Sequence, residues 1–302
     1  MVKSHREGDQ GVNGGWAVDR TVLFTEHRRY LFAVAYRMLG IAEDAEDILQ
    51  EAWIRFSGVR VEELEHPRTY LVTIVTRLCV DLLRSARRRR EEYVGVWLPE
   101  PVRTPEALAN DMVEEAESAS FAFLLLLECL SPVQRAVLVL HDVFDYSHDE
   151  VAEAIGRTPA ASRQALRRAR QRLGHASRPK SSPTEEALKV VRQFVEATRS
   201  GDLKQLMGTL APEVVLMSDG GGQVPAVKRP LAGSERVGRF FSARDRLGPG
   251  SQAQLTELNA QPAILVTEDG ILTKAYLFDI TAAGVTAIYA VRNPDKLKRL
   301  AS

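Results

Sequence analysis

Apolar residues recur at helical spacing through the first third of the chain, and this pattern predicts three packed helices. One apolar stripe runs through residues 21–40, and a stronger one runs through 43–56 at spacings of three and four. The opposite face of 43–56 carries acidic and amide side chains, which is typical of an amphipathic helix. Pro67 suits the first turn of a third helix. The three segments can bury one another as an α-helical bundle.

Two stretches without helical spacing interrupt the chain. Residues 94–106 (VGVWLPEPVRTPE) hold three prolines, and 174–183 (GHASRPKSSP) is rich in Gly, Pro and Ser. Helical patterns fill the region between them. The predicted divisions are a disordered N-terminus 1–19, a first helical domain 20–93, a linker 94–110, a second helical domain 111–175, a junction 176–183 and a C-terminal domain 184–302.

The C-terminal third changes to short β-type segments that follow a helical stretch at 184–210. A further helix is predicted at 231–242, between the strands. Helices followed by a meander of strands predict an α+β domain with a curved antiparallel sheet. The predicted strands are 213–217, 224–228, 253–258, 262–267, 271–280 and 284–291.

The segment 147–173 has the capping and turn residues of two helices joined by a tight turn. Ser147 and Glu150 form an S-x-x-E capping box, and Gly156 can end the first helix with a positive φ. Thr158 followed by proline begins the second. This layout predicts a helix-turn-helix, whose second helix enters the DNA major groove.

The outward face of that second helix is basic, whereas small alanines face inward. Arginine can bind guanine bidentately or neutralise phosphates. An arginine-rich, solvated helix in an ordinary α-hairpin is the alternative interpretation. The predicted DNA-facing positions are Ser162, Arg163, Gln164, Arg167 and Arg170.

The formal net charge is +0, which would argue against a nucleic-acid partner if the charge were spread evenly. It is not, because residues 84–90 read RSARRRR and acidic residues cluster in 43–51 and 111–117. Local charge decides binding, since fields decay within about 10 Å at ordinary salt. The arginine run is therefore a second predicted phosphate contact.

Cysteine usage and hydropathy exclude several classes of protein. Cys79 and Cys129 are the only cysteines and neither has a metal-type companion, so no metal or cofactor is expected. No run approaches the ~18 apolar residues of a membrane helix, and the first residues lack the apolar core of a secretory signal. A reduced, cytoplasmic setting fits these features.

Three segments in fixed order resemble a bacterial RNA polymerase sigma factor of the extracytoplasmic-function group. They are AEDAEDILQEAWIRF (42–56), HPRTYLVTIVTRLCVDLLRSARRRR (66–90) and the region 130–173, which contains the helix-turn-helix. The resemblance covers about half of the chain. It implies that core RNA polymerase and promoter DNA are the partners, that no catalytic centre is present and that the free protein is monomeric.

The resemblance also implies roles for individual residues. Region 2 would bind polymerase through the acidic and amide face of 42–56 and would read the −10 element through 66–90, while region 4 would read the −35 element. Arg77, Asp81 and Arg84 could instead be a solvated face with an internal ion pair. The implied polymerase-binding residues are Asp44, Asp47, Gln50 and Glu51, and the implied −10 residues are Arg77, Asp81, Arg84, Arg87 and Arg88.

Residues 184–292 resemble the cone-shaped SnoaL-like branch of the nuclear-transport-factor superfamily. WLPEP (97–101), DGGGQ (219–223) and NPDKL (293–297) match a subgroup of sigma factors that carry this domain, except that Gln223 replaces the subgroup's lysine. The resemblance implies a regulatory contact between the domains. The residues expected there are Trp97, Leu98, Pro99, Asp219, Gly220, Gly221, Gly222, Asn293, Pro294 and Asp295.

Two other functions were open from the residues alone. An enzyme would use Asp219 or Asp279, but DGGGQ has neither P-loop nor Rossmann spacing, and 184–302 contains no histidine. A helix-turn-helix regulator with a small-molecule-sensing domain is the other, and the acidic face of 42–56 argues against it. A small-molecule ligand in the C-terminal domain remains an open expectation.

Overall fold

A computed structural model of the chain describes residues 20–91, 93–103, 120–174, 185–243 and 250–301, with backbone alone over 86–91. The predicted N-terminus 1–19, the second part of the linker and the junction 176–183 lie outside these residues. No helix among the described residues is long and apolar enough to cross a membrane. Below, "the linker" means residues 93–103.

The first half of the chain forms two helical units. The first unit comprises α1 (Arg20–Leu39), α2 (Ala42–Ser57) and α3 (Pro67–Glu91), with a 3-10 turn at Val61–Glu63. The second unit comprises α4 (Phe121–Leu127), α5 (Pro132–Leu138), a π-helical turn Val139–Val143, α6 (His148–Ile155) and α7 (Pro159–Leu173).

The local signals predicted for the helix-turn-helix are confirmed in α6 and α7. Both hydrogen bonds of the capping box between Ser147 and Glu150 are present. Gly156 ends α6 in the left-handed region with φ +63°. The Thr158 side chain accepts a hydrogen bond from the Ala161 amide and caps α7. Short-range backbone chemistry therefore determines where both helices begin and end.

The C-terminal domain packs helices against a six-stranded sheet. The helices are α8 (Glu185–Ser200), α9 (Leu203–Thr209), α10 (Ser234–Ser242) and α11 (Pro294–Leu297), which is followed by a 3-10 turn at Lys298–Leu300. The strands are β1 (Leu210–Asp219), β2 (Leu231–Ala232), β3 (Gln252–Leu258), β4 (Gln261–Glu268), β5 (Ile271–Thr281) and β6 (Gly284–Val291). Their order in the sheet is β2-β1-β6-β5-β4-β3. This mixed α+β architecture is compatible with the SnoaL-like cone.

Three details of the C-terminal prediction are wrong. The sheet is mixed, because β1 and β6 pair in parallel. A parallel pair and an antiparallel pair bury the same alternating residues, so the sequence pattern did not distinguish them. Residues 224–228 form no strand, and the helix predicted over 184–210 is interrupted at Gly201, where φ is +71°.

The two helical units share one apolar core. Leu31 and Leu71 of the first unit belong to the same buried cluster as Val137 and Ala169 of the second. The buried Arg135 guanidinium adds a polar contact, because it donates to the Met38 carbonyl at 2.7 Å. In this arrangement the two predicted helical domains behave as one packed body.

The sheet has two buried faces with different partners. On one face, Phe194 and Phe241 of the helices pack against Phe278 of β5. On the other, Leu98 of the linker and Phe121 of α4 join the buried cluster of strand side chains. The linker and the start of the second helical unit therefore pack on the same face of the sheet.

Truncating Leu98 should cost about 2–5 kcal/mol of unfolding free energy, because its side chain is fully buried against the sheet. Val94 lies in the same segment but is 65% exposed, so Val94→Ala should change stability by at most about 0.5 kcal/mol. Urea unfolding of Leu98→Ala and Val94→Ala measures the difference. Equal, small effects would show that the linker does not pack on the sheet.

Candidate functional site

Helix α7 presents four of the predicted DNA-facing side chains to solvent. Arg163, Gln164, Arg167 and Arg170 are exposed. Arg163, Arg167 and Arg170 line an open groove together with His148 at the start of α6. Three arginines therefore meet at one groove on the surface of α7, and their positive charge favours contact with the negatively charged DNA backbone.

Ser162 lies on the opposite side of α7 from the position that was predicted. It is fully buried, and its hydroxyl lies 3.0 Å from Nδ1 of His148. Ser162 precedes buried Leu166 by four residues, and that spacing places both on the inner face of the helix. Its role is to join α6 to α7. Burial lowers the pKa of His148, and the charges of His141 and of the nearby arginines lower it further.

Arg170 already has an acidic partner. Its guanidinium donates to both oxygens of Asp142, with Nη2–Oδ1 at 2.6 Å and Nε–Oδ2 at 3.2 Å. The hydrogen bond to this carboxylate raises the pKa of Arg170. A DNA phosphate would have to displace Asp142 to bind Arg170, whereas Arg163 and Arg167 make no such bidentate pair among the described residues.

The −10 candidates on α3 fall into three groups. Arg77 donates to the carbonyls of Glu153 (2.9 Å) and Ala154 (3.3 Å) at the C-terminal end of α6. A cation at a helix C-terminus is favourable, so this contact holds α3 on the helix-turn-helix. Asp81 and Arg84 form an exposed pair at 3.0 Å. The side chains of Arg87 and Arg88 lie outside the described residues.

The predicted polymerase-binding face of α2 is partly exposed. Asp47 and Gln50 are exposed, while Asp44 and Glu51 are half-buried, and Glu51 pairs with Arg55 at 2.9 Å. Ile54 continues the same stripe and is 64% exposed. Ile54 was not among the residues predicted to bind polymerase, because that prediction included only the acidic and amide side chains of this face. An apolar side chain beside acidic ones suits a helix that binds another protein.

Asp219 is the polar centre of the contact between the linker and the C-terminal domain. Its fully buried carboxylate accepts four hydrogen bonds. Oδ1 receives the Tyr93 hydroxyl at 2.6 Å and the Gly221 amide at 2.9 Å. Oδ2 receives the Leu98 amide at 2.9 Å and the Lys296 ammonium at 2.7 Å.

Lys296, which was not among the predicted contact residues, supplies the positive charge of this contact. Its ammonium is buried, also donates to the Leu98 carbonyl and lies 4.4 Å from the centre of the Trp97 ring. A cation over an indole face is a favourable contact. The signal for Lys296 was present in NPDKL, as the only cation within that motif.

The glycines of DGGGQ allow the loop to approach its neighbours. Gly221 has φ +62°, and a Cβ there would lie 2.5 Å from Cγ of Asn293. The Asn293 amide in turn donates to the Tyr93 hydroxyl at 3.0 Å. Gln223 donates to Asp295 at 2.7 Å, so the amide keeps a contact to NPDKL where the subgroup has a lysine.

A second network joins the sheet to the start of the second helical unit. Asp279 accepts hydrogen bonds from Gln261 and, at 2.6 Å, from the Tyr289 hydroxyl. The Gln261 oxygen accepts the Phe121 amide at 2.7 Å. Burial raises the pKa of Asp279. Both carboxylates considered for catalysis, Asp219 and Asp279, therefore contribute to contacts with the helical half.

The hairpin turn between β3 and β4 makes a third contact, which was not predicted from the sequence. Asn259 has φ +52° and exchanges two hydrogen bonds with Val102 of the linker, at 3.0 and 3.1 Å. Its side-chain amide also donates to the Tyr36 hydroxyl at 2.7 Å. Arg103 extends this pairing through a bridge to Leu258. Asparagine is a common turn residue, but its partners could not be deduced from that.

The described residues contain no cluster of three or more His, Cys, Asp or Glu side chains that could hold a metal ion.

Two families match the chain: Sigma-70 region 2 over residues 23–89, and Sigma-70, region 4 over residues 120–173. The ECF RNA polymerase sigma factor SigJ of Mycobacterium tuberculosis is 38% identical in an alignment of 286 positions that covers 90% of this chain and 91% of SigJ. The probable ECF sigma factor SigI of the same species is 30% identical over 277 residues, 91% of this chain and 93% of SigI. The crystal structure of SigJ has a TM-score of 0.73 at 33% identity and covers 92% of this chain and 98% of its own.

Asp219→Ala should lower the unfolding free energy by about 3–5 kcal/mol, because it removes the carboxylate that neutralises a buried ammonium. The double variant Asp219→Ala/Lys296→Met removes both charges and should recover a large part of this loss. Asp295→Ala is the matched control, since this exposed carboxylate lies next to Lys296 in NPDKL and its loss should change stability by at most about 1 kcal/mol.

Urea unfolding and limited proteolysis of the linker measure these effects. Asp219→Ala should expose the linker to cleavage while Asp295→Ala should not. Failure of the double variant to recover any stability would contradict the ion pair as the centre of this contact.

Proposed function

The chain belongs to the extracytoplasmic-function (ECF) sigma factors, and we propose that its C-terminal domain regulates it by holding its two promoter-reading units together. As a member of this family it binds core RNA polymerase and directs initiation at promoters with −35 and −10 elements. Its relatives are transcription factors rather than enzymes. A regulator independent of polymerase is set aside, because the region 2 match covers most of the first helical unit.

The proposed contacts with DNA and polymerase follow from exposure and charge. Arg163, Gln164 and Arg167 of α7 bind the −35 element, and Arg170 joins them after leaving Asp142. The −10 element is read by α3, through Arg77, Asp81 and Arg84 with the neighbouring Arg87 and Arg88. Polymerase binds the face of α2 that carries Asp44, Asp47, Gln50 and Glu51.

One observation carries the regulatory proposal: the same sheet contacts the linker, which follows the first helical unit, and the start of the second helical unit. In the linker, Leu98 joins the apolar cluster of the sheet and Arg103 forms the bridge to Leu258. At the start of the second unit, Phe121 packs on the same face and its amide donates to Gln261. The C-terminal domain thereby restricts how far the helical units can separate.

The two helical units pack on each other in the free chain, and we call this the closed arrangement. It is incompatible with simultaneous reading of both promoter elements. By their positions the elements lie 25 base pairs apart, which is about 85 Å of duplex at about 3.4 Å per base pair. A compact chain of this length has a radius of gyration of only about 19 Å. The helical units share one core, and Arg77 is bonded to α6. Polymerase must therefore separate the units before they read the promoter.

Three further expectations accompany this proposal. We infer a cytoplasmic location, because core polymerase and promoter DNA are the partners. The free protein is proposed to be monomeric, since contacts within one chain already cover the linker face of the sheet. A small molecule that binds the C-terminal domain and loosens its hold on the linker would act as an inducing signal.

Substitution of the recognition arginines should weaken binding to the −35 element. Arg163→Ala and Arg167→Ala should each lower the affinity of the polymerase complex for promoter DNA and reduce the salt slope by about 0.9. Arg172→Ala is the matched control, because Arg172 is exposed on the same helix but does not line the groove. Promoter binding titrated over a salt series measures the slopes. An equal reduction for Arg172→Ala would show that helix charge, rather than the groove, determines binding.

The closed arrangement can be tested by fluorescence transfer between the helical units. Labels at Arg60→Cys and Arg172→Cys, in a Cys129→Ser background with buried Cys79 retained, should show high transfer in the free protein and low transfer with core polymerase. Labels at Val22→Cys and Arg60→Cys, both in the first unit, should show no change.

Deleting residues 184–302 should lower the fluorescence transfer between the two helical units in the absence of polymerase. The same deletion should alter promoter output without abolishing core binding. Unchanged transfer together with unchanged output at normal protein levels would contradict the regulatory role.

A further inference from the structure

Helix α2 begins without a capping side chain of its own. The residue before it, Ile41, has the extended conformation of an N-cap (φ −127°, ψ 123°), and its side chain makes no capping hydrogen bond. The first amides of a helix have no partner within the helix and need an acceptor from elsewhere. The isoleucine side chain has no acceptor atom, so the first amides of α2 depend on a group from another part of the chain.

The linker supplies that group through Glu100. Oε2 of Glu100 accepts the Ala42 amide at 2.7 Å and the Glu43 amide at 3.3 Å. Glu100 is only 2% exposed, although it is a charged residue. A carboxylate at a helix N-terminus both accepts these amides and interacts favourably with the helix dipole. The contact joins residues 58 positions apart, so it forms only when the linker lies against the first helical unit.

Further hydrogen bonds hold Glu100 in register with α2. Its backbone amide donates to the Gly40 carbonyl at 2.8 Å, and its carbonyl accepts the Tyr36 hydroxyl at 2.7 Å. Asn259 of the C-terminal domain donates to the same hydroxyl at 2.7 Å. The hairpin turn of the sheet, Tyr36 and Glu100 therefore form one connected path from the C-terminal domain to the start of α2.

We propose that Glu100 is a positioning residue for polymerase binding, because it caps helix α2 from the linker while the C-terminal domain holds the linker in place. This inference rests on the proposed function of α2 as the polymerase-binding helix. It assigns the C-terminal domain a supporting role in recruitment alongside its restraining role at the promoter. Releasing the linker frees the DNA-reading units and at the same time weakens the first turn of α2.

Hydrogen exchange of the full-length chain tests the capping itself. Glu100→Ala should accelerate exchange of the Ala42 and Glu43 amides by about fivefold to tenfold, the usual effect of losing an N-cap. Glu100→Gln keeps an acceptor oxygen and should stay within about threefold of the parent chain. Amides in α1 should change much less than these two amides.

A cap restored within α2 should rescue the variant. Ile41→Asp provides a carboxylate at the N-cap position, so Glu100→Ala/Ile41→Asp should regain both slow exchange and the affinity for core polymerase. The matched control is Glu100→Ala/Ile41→Ala, which loses the same isoleucine without gaining an acceptor. Affinity for core polymerase should fall by about fivefold to tenfold in Glu100→Ala and in the control, and should recover in the Ile41→Asp double variant.

The outcomes separate this inference from the proposed function. Unchanged exchange in Glu100→Ala would overturn the capping, and weakened core binding without rescue by Ile41→Asp would overturn the positioning role. A third outcome is that Ile41→Asp restores slow amide exchange, although core affinity is the same in all Glu100 variants. In that case the core affinities of Asp47→Ala and Gln50→Ala show whether the role of Glu100 or the role of α2 is wrong. Weakened binding in those variants overturns the role of Glu100 alone, whereas unchanged binding overturns α2 as the polymerase-binding helix.

Discussion

The buried ion pair between Asp219 and Lys296 is the contact on which the arrangement of this protein depends. A carboxylate removed from water is costly unless every hydrogen-bonding position is satisfied, and here the four donors come from the linker, the glycine turn and the NPDKL motif. If any one of these segments moves away, the buried carboxylate of Asp219 loses a hydrogen bond or its neutralising charge. Because the site is complete only when all of them meet, linker docking is expected to be cooperative.

The linker combines this polar contact with apolar burial, and the two have different consequences. Leu98 supplies hydrophobic stabilisation, which depends on area and is weakly directional. The hydrogen bonds to Asp219 and Asn259 fix the position of the linker along the sheet, and this places the Glu100 carboxylate at the start of α2. One extended segment thus connects the sheet with α2, the proposed polymerase-binding helix. If the proposed function holds, docking of the linker couples polymerase binding and promoter access in one equilibrium.

The sequence predicted the local features well and the long-range ones unevenly. The capping box at Ser147 and the left-handed Gly156 were correct, because these signals act within four residues. The outward assignment of Ser162 was wrong, because Ser162 precedes buried Leu166 by four residues and lies against His148 of α6. The parallel pairing of β1 with β6 was missed, since alternating burial is the same for both strand directions. Lys296 and Asn259 were missed because their importance comes only from their partners.

By itself, the sequence determined the helical units, the helix-turn-helix and the family, since helix periodicity, caps and motif order are encoded in neighbouring residues. Only the tertiary structure decided what the unusual residues contact. Leu98 and Asp219 are 121 positions apart, and Tyr36 and Asn259 are 223 apart. Such contacts form when separate apolar surfaces pack, and the polar groups that packing buries must then find partners at whatever distance along the chain they lie. DGGGQ could be recognised as a sharp turn from its glycines, but packing decided that its aspartate would hold the linker.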